Sequence, residues 1–314
     1  MYKEKFSFYD STSIKLYNLD RTMKYQLSVL DRLDSFTRTH SENVGNLCCR
    51  ICQYMKFNRK FIVHATISGY LHDIGKLFIP PELLSKPTRL TDEEFEVMKT
   101  HTTLGYKLCM DDLKLRPYAD SPLYHHEALN GTGYPSGLTR KDIPIVAQIV
   151  RVADEYDAIV TKRQYKTHVH ISETLKELIK DANPDTYLKT IALNQLSENS
   201  QLGKINPKIL KVLFKVVIDD IEYEISCVVD YIDYLKDNIK RLELVDSYNA
   251  KMQATDKQKK RDFYREGIEL LLQAGENFQN YHNVLQEYRS ALAMRKQRIA
   301  DLYKEIKIIK GLKV

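Results

Sequence analysis

This 314-residue sequence contains no apolar run approaching the roughly 18 residues that a membrane-crossing helix requires. Its N-terminus, MYKEKFSFYD, lacks the apolar stretch of a secretory signal, so the expected location is the cytoplasm. Cysteines are few and odd in number: Cys48, Cys49, Cys52, Cys109 and Cys227. That count, with mostly apolar neighbours, argues against a disulfide framework and for reduced thiols. Cys48 and Cys52 stand one helical turn apart and are read as packing residues rather than metal ligands. The net charge of +6 is small, and no basic-aromatic RNA motif accompanies it, which excludes a nucleic-acid polymer as the expected partner. Internal repeats, low-complexity tracts and a recognisable receiver or sensor domain are also missing. No run alternates apolar and polar residues as a half-buried strand would, so the expected fold class is all-α.

What is present is a series of helix signals. Leu19, Met23, Leu27 and Leu30 suggest a lead-in helix within residues 1–33. Val44, Leu47, Cys48, Ile51 and Met55 predict a helix beginning at Ser41, which places His40 at its start. A second helix spans about Arg59 to His72, and Pro80-Pro81 open a loop. Thr91 and Glu94 form a capping box for the next helix, and His101 begins another. Pro117 and Pro122 bracket a helix or turn holding His125-His126-Glu127, and NGTGYPSGL after it reads as a loop. Pro144 leads a helix carrying Asp154 and Asp157 on nearly one face. Ser172, Asn183-Pro184 and Asn206-Pro207 mark further helix starts.

Residues 34–218 are therefore expected to form the principal domain. Residues 219–314 are expected to form a helical hairpin or coiled-coil extension. There, Val228 to Leu242 repeat at heptad spacing, the polar stretch KMQATDKQKKR interrupts, and a second series runs from Leu271 to Ile309. Packing back on the same chain and pairing with a second chain are both compatible with that pattern.

LHDIGK, Leu71 to Lys76, is the centre of the chemistry. His72-Asp73 offers an imidazole nitrogen and a carboxylate, ligand types suited to a divalent transition metal. His40, His101, His125, His126 and Asp154 lie near helix ends or on helices that could face the same pocket. Seven nitrogen and oxygen ligands exceed the needs of one ion and suit two that share a carboxylate.

The motifs DSFTRTHS, LHDIGKLFIP, MKTHTTLGY, HHEALNGTGYPSGL, IPIVAQIVRVADEYDAI and RQYK, between about Asp34 and Phe214, resemble the HD-GYP family. Those are HD-superfamily phosphodiesterases that hydrolyse cyclic di-GMP. The resemblance implies an all-α bundle around a metal centre, with iron or manganese as cofactor. It implies His40, His72, Asp73 and Asp154 as ligands of one ion and Asp73, His101, His125 and His126 as ligands of a second. Some members hold a third ion with a glutamate where this chain has Phe36, so two ions are expected. The resemblance also implies that Asp73 and Lys76 are catalytic, and that Lys76, Arg163, Lys166 and Tyr134 contact substrate. Gly133-Tyr134-Pro135 preserve the GYP loop.

The implied reaction is linearisation of cyclic di-GMP to pGpG, with further cleavage to GMP open. Cyclic GMP-AMP is an alternative substrate. A second class of reading is a cyclic-dinucleotide-binding protein that keeps the metals and signals through the C-terminal helices, by homodimerising or by holding a partner. A general HD nucleotide hydrolase is a third, and it leaves HHE, GYP and Arg163 unexplained. Asp157 and Glu127 are read as groups that orient ligand histidines, and His64, His168 and His170 as ordinary core or surface residues.

Overall fold

The computed structural model describes residues 32–164, 171–183 and 203–314, with side chains omitted from 161 to 164. The described residues are helical, and their single β-bridge joins Asn130 and Thr139 across the GYP loop. The chain separates into two compact units, one running up to Val217 together with Leu312–Val314, the other Ile218–Gly311.

In the first unit, α1 (Ser35–Tyr54) starts earlier than Val44 and its neighbours suggest. Asp34 is its N-cap, its carboxylate accepting the Thr37 amide at 2.9 Å. His40 therefore sits in the second turn, not at the helix start, and points inward with Val44, Leu47 and Cys48. The apolar periodicity had revealed only the part of the helix beyond the polar segment SFTRTHS. α2 (Arg59–Leu71), capped by Asn58, packs against α1 and ends at the His72-Asp73 pair. A 3-10 turn, Ile74–Phe78, and α3 (Pro81–Leu84) follow. The capping box of Thr91 and Glu94 is present and opens α4 (Asp92–Lys99). Next come α5 (His101–Asp111), a 3-10 turn at Arg116–Tyr118, and α6 (Asp120–Tyr124).

α7 (Ile145–Gln164) begins directly after Pro144 and lies against α1 and α2. α8 (Ile171–Ala182) contains Ser172 in its first turn, buried, rather than exposed at a cap. Asn183 closes α8, its side-chain amide donating to Ile179 O at 2.7 Å, while the helix expected from Pro184 and nearly all of the expected lead-in helix fall outside the described residues. Leu33, Ile67, Tyr70, Leu71, Ile74, Cys109, Leu115 and Ala119 make one apolar cluster beneath LHDIGK. The cysteines are all free, and Cys48, Cys49, Cys52 and Cys109 are buried, as their apolar neighbours suggest.

α9 (Pro207–Gln253) begins at Asn206-Pro207 and is one continuous 47-residue helix, so the change of unit at Val217 falls within it. In the second unit α10 (Gln258–Leu271) and α11 (Tyr281–Gly311) pack on its later turns. Ile239, Leu242 and Val245 meet Ile268, Tyr281 and Leu285. The ion pairs Arg289–Glu243 and Arg298–Glu224 show that α11 runs antiparallel to α9. The second heptad series is thus not one helix: Leu271 ends α10, and Ala274 and Phe278 lie in the connection to α11. Gly275, at φ +88°, permits a backbone turn there that side-chain-bearing residues rarely adopt. Ile232, Leu235, Ile239 and Leu242 of the first series and Tyr281, Leu285, Leu302, Ile306 and Ile309 of the second are buried, whereas Phe278 is exposed.

Candidate metal centre

Three of the five site histidines are oriented by the same local device. A helix leaves its last carbonyls without intrahelical partners, and a histidine at that end can donate to one of them. His72, at the end of α2, donates its Nδ1–H to Gly69 O at 2.7 Å. His101, two residues beyond the end of α4, donates to Met98 O at 2.7 Å. His125, at the end of α6, donates toward Ser121 O and Pro122 O, both at 3.0 Å. A carbonyl can only accept, so the proton is on Nδ1 in each ring and a lone pair is left on Nε2. His40 differs: its Nδ1 stands 2.7 Å from the Asp157 carboxylate. The expected orienting role of Asp157 is thereby met, in the carboxylate–histidine arrangement common behind metal ligands.

The Nε2 atoms converge on Asp73, which is almost wholly buried. One of its oxygens, Oδ2, lies 3.7 Å from His40 Nε2 and 3.3 Å from His72 Nε2. The other, Oδ1, lies 3.5 Å from His101 Nε2 and 3.9 Å from His125 Nε2. Asp154 Oδ1 is 3.0 Å from His40 Nε2 and 3.8 Å from His72 Nε2. Three groups have ligand atoms within 4.8 Å of one another: His40, His72 and Asp73; His101, His125 and His126; and His72, His125 and Asp154. All seven candidate ligands therefore come together, and the third group crosses the division into two sets implied by the resemblance.

The donor set fits divalent cations. His72 Nε2 is buried with no hydrogen-bond partner. His101 Nε2 and His125 Nε2 face each other at 3.3 Å as two lone pairs with no proton between them, a repulsive contact that a cation removes. Burial holds His101 and His125 below the ordinary imidazole value and brings His126 down to about 3, so these rings are neutral donors near pH 7. Burial opposes ionisation of Asp73, but the Lys76 ammonium beside it outweighs that and holds the carboxylate well below its usual range. His40 is the exception. Burial disfavours its charged form, yet Asp154 and Asp157 raise it to about 10. An ion entering beside His40 would displace that proton.

Lys76 Nζ is 2.6 Å from Asp73 Oδ2, with part of its side chain exposed. Tyr134 stacks on His126, ring centroids 4.7 Å apart, and its amide donates to His126 O at 3.2 Å. Burial, then the charges of Asp154 and Asp73, push its hydroxyl above the ordinary phenol value, so it is held as a donor.

Two glycines make these approaches possible. A Cβ on Gly75 would collide with the backbone of His101, and one on Gly133 with the backbone of Glu127 and Ala128. The glycine of LHDIGK therefore lets α5 bring His101 against Asp73, and the glycine of GYP lets the loop lie on the HHE turn.

These contacts coincide with a family assignment. Residues 26–188 match the HD domain family. The chain belongs to the HD-domain family. A cyclic di-GMP phosphodiesterase of Thermotoga maritima is 38% identical over 189 residues, 55% of this chain and 51% of that protein. The cyclic di-GMP phosphodiesterase PdeB of Borreliella burgdorferi is 30% identical over 214 residues, 68% of this chain and 50% of that protein. The 3′3′-cGAMP-specific phosphodiesterase 1 of Vibrio cholerae is 30% identical over 151 residues, 47% of this chain and 34% of that protein. The chain thus spans about half the length of the first two relatives. They bear out the resemblance to HD-GYP proteins carried by the motifs.

Within this HD domain one expectation is corrected. Glu127 orients no histidine; its carboxylate accepts the amides of Ser136 at 2.7 Å and Leu138 at 2.8 Å, and so holds the GYP loop closed. Arg151, whose role the motif did not reveal, donates to Glu127 O and to Glu155. The orienting carbonyls of Gly69, Met98, Ser121 and Pro122 left no side-chain signal. Phe36 is half exposed. The Arg163 side chain and all of Lys166, His168 and His170 lie outside the described residues.

Proposed function

We propose that this HD domain is a metal-dependent phosphodiesterase that linearises cyclic di-GMP to pGpG, with further cleavage to GMP decided by turnover of linear pGpG. The observation that carries this reading is the Asp73 carboxylate, whose two oxygens face different histidine pairs. That is the arrangement a carboxylate shared by two ions requires. Iron or manganese suits the mixed imidazole and carboxylate set. His40, His72, Asp73 and Asp154 would hold one ion, and Asp73, His101, His125 and His126 the other. When bound, such ions acidify water and polarise a phosphoryl oxygen.

The chain's own residues supply the rest. Lys76 is the cation beside Asp73, placed to meet the negative charge that develops on the scissile phosphate and the departing 3′-oxygen. Tyr134 presents a protonated hydroxyl at the same rim. The resemblance adds Arg163 and Lys166 as cations for the substrate phosphates. Water adds across the P–O3′ bond: its oxygen joins phosphorus and a proton ends on the 3′-oxygen. One relative carries the name of a 3′3′-cGAMP-specific enzyme, which keeps cyclic GMP-AMP as the alternative substrate.

No described helix is long and apolar enough to cross a membrane, and we place the protein in the cytoplasm. A second copy or a signalling partner would meet the C-terminal helices, where Met294 and Tyr303 are exposed. The test is turnover of manganese- or iron-loaded protein, under reducing conditions, on a panel of cyclic dinucleotides plus linear pGpG. Cyclic di-GMP should be consumed. Absence of turnover with two ions bound overturns the enzyme reading and leaves the metal-retaining binding protein.

A further inference from the structure

Phe95 is 43% exposed although it lies next to a buried site. It belongs to α4, whose end is separated from His101 by Thr100 alone. Its ring meets Tyr134 nearly perpendicularly, centroids 6.2 Å apart and planes at 82°, while Tyr134 stacks on His126. Lys99, one turn further along α4, sets its ammonium 5.0 Å from the Phe95 centroid and 5.6 Å from that of Tyr134. Among the described residues that ammonium donates to Glu96, at 2.6 Å. That exposed i,i+3 ion pair is weak and yields readily to a ligand. The result is an aromatic corner two ring contacts out from the metal-ligand histidines, with a cation at its vertex.

We propose that Phe95 and Lys99 form a purine platform: an outer base of the substrate stacks on the exposed Phe95 ring, and Lys99 donates to the acceptor edge of that base. Stacking on an aromatic face tolerates any base. The ammonium discriminates, because guanine offers O6 and N7 as acceptors whereas adenine offers N7 beside a donating amino group. The platform deepens the phosphodiesterase reading and rests on it. Its role is positioning and specificity, since neither residue reaches Asp73.

The sequence contains no tryptophan, so Phe95→Trp introduces a lone tryptophan at the platform, whose emission is excited selectively on the red edge where tyrosine does not absorb. In metal-loaded protein, mixed by stopped flow and read before turnover, its emission is quenched saturably by cyclic di-GMP and not by ribose 5-phosphate, which has no base. In steady state, Phe95→Leu raises KM for cyclic di-GMP about tenfold with kcat within about twofold of the parent. Phe95→Trp restores the parental KM. Lys99→Met narrows the preference for cyclic di-GMP over cyclic di-AMP.

A parent that turns over cyclic di-GMP while Phe95→Leu keeps its KM overturns the platform and leaves the phosphodiesterase reading intact. Equal quenching by ribose 5-phosphate also overturns it, as does a loss confined to kcat. An unchanged preference in Lys99→Met removes the lysine from the proposal. A parent without turnover overturns the enzyme reading instead, and the quenching titration still decides whether a base stacks at Phe95.

Discussion

The metal pocket and the C-terminal unit bury side chains for opposite reasons. Around Asp73 the buried groups are imidazoles and carboxylates, and four of the imidazoles are aimed by identifiable hydrogen-bond partners. Some of those contacts, such as the facing nitrogens of His101 and His125, are unfavourable until a cation joins them. In the C-terminal unit the buried groups are Ile239, Leu242, Val245, Ile268 and Leu285, with ion pairs outside them. Burial there is favourable residue by residue and depends little on exact identity. The contrast shows how a marginally stable chain is divided: the helical ladder supplies stability, and the pocket stores polar groups in positions that serve a ligand.

That contrast can be broken most sharply at Asp73. Asp73→Ala should lose bound metal and all measurable turnover while far-ultraviolet circular dichroism remains helical. Metal analysis beside the activity assay checks it; retained metal would show that the carboxylate is not shared. Gly75→Ala should be the most damaging apolar change, about 3 kcal/mol or more, because the added methyl meets the backbone of His101 rather than a side chain that can move. Thermal unfolding measures this, and a normal Tm would refute the close approach of α5. Asp157→Asn should weaken metal binding by roughly 10 to 100-fold through loss of the charge behind His40, with the fold intact. Competition against a chelator reads the change directly.

In the C-terminal unit the largest polar effect should come from Arg241. Its guanidinium grips Glu276 through both oxygens, at 2.6 and 2.7 Å, and also donates to Leu271 O. Arg241→Met should cost about 2 kcal/mol in denaturant unfolding and leave metal content untouched. A change in metal content would contradict the separation of roles. Arg289→Ala, which removes an exposed pair with Glu243, should shift stability by no more than about 0.5 kcal/mol.

The candidate ligands were legible because each is a residue type with few other uses at that density, set in quoted motifs. Helix starts were legible where a side chain does the capping, as at Thr91 and Asn206. They failed at α1, whose first turns are polar on the outside, so apolar spacing begins only at Val44. Glu127 was misassigned because its partners are the amides of Ser136 and Leu138, which any residue could supply. The second heptad series passed through the α10–α11 connection because apolar spacing continues there by chance while Gly275 turns the chain.

By itself the sequence determined the all-α class, the seven candidate ligands and the two glycines in their motifs. Those follow from residue type and local spacing, which a linear chain carries. Only the tertiary structure decided that Asp73 turns one oxygen to His40 and His72 and the other to His101 and His125. Those partners come from four different helices or helix ends. The rings of His72, His101 and His125 are aimed locally, by carbonyls three or four residues back, and that of His40 by the distant Asp157. The four Nε2 atoms meet around one carboxylate only when α1, α2, α5, α6 and α7 pack.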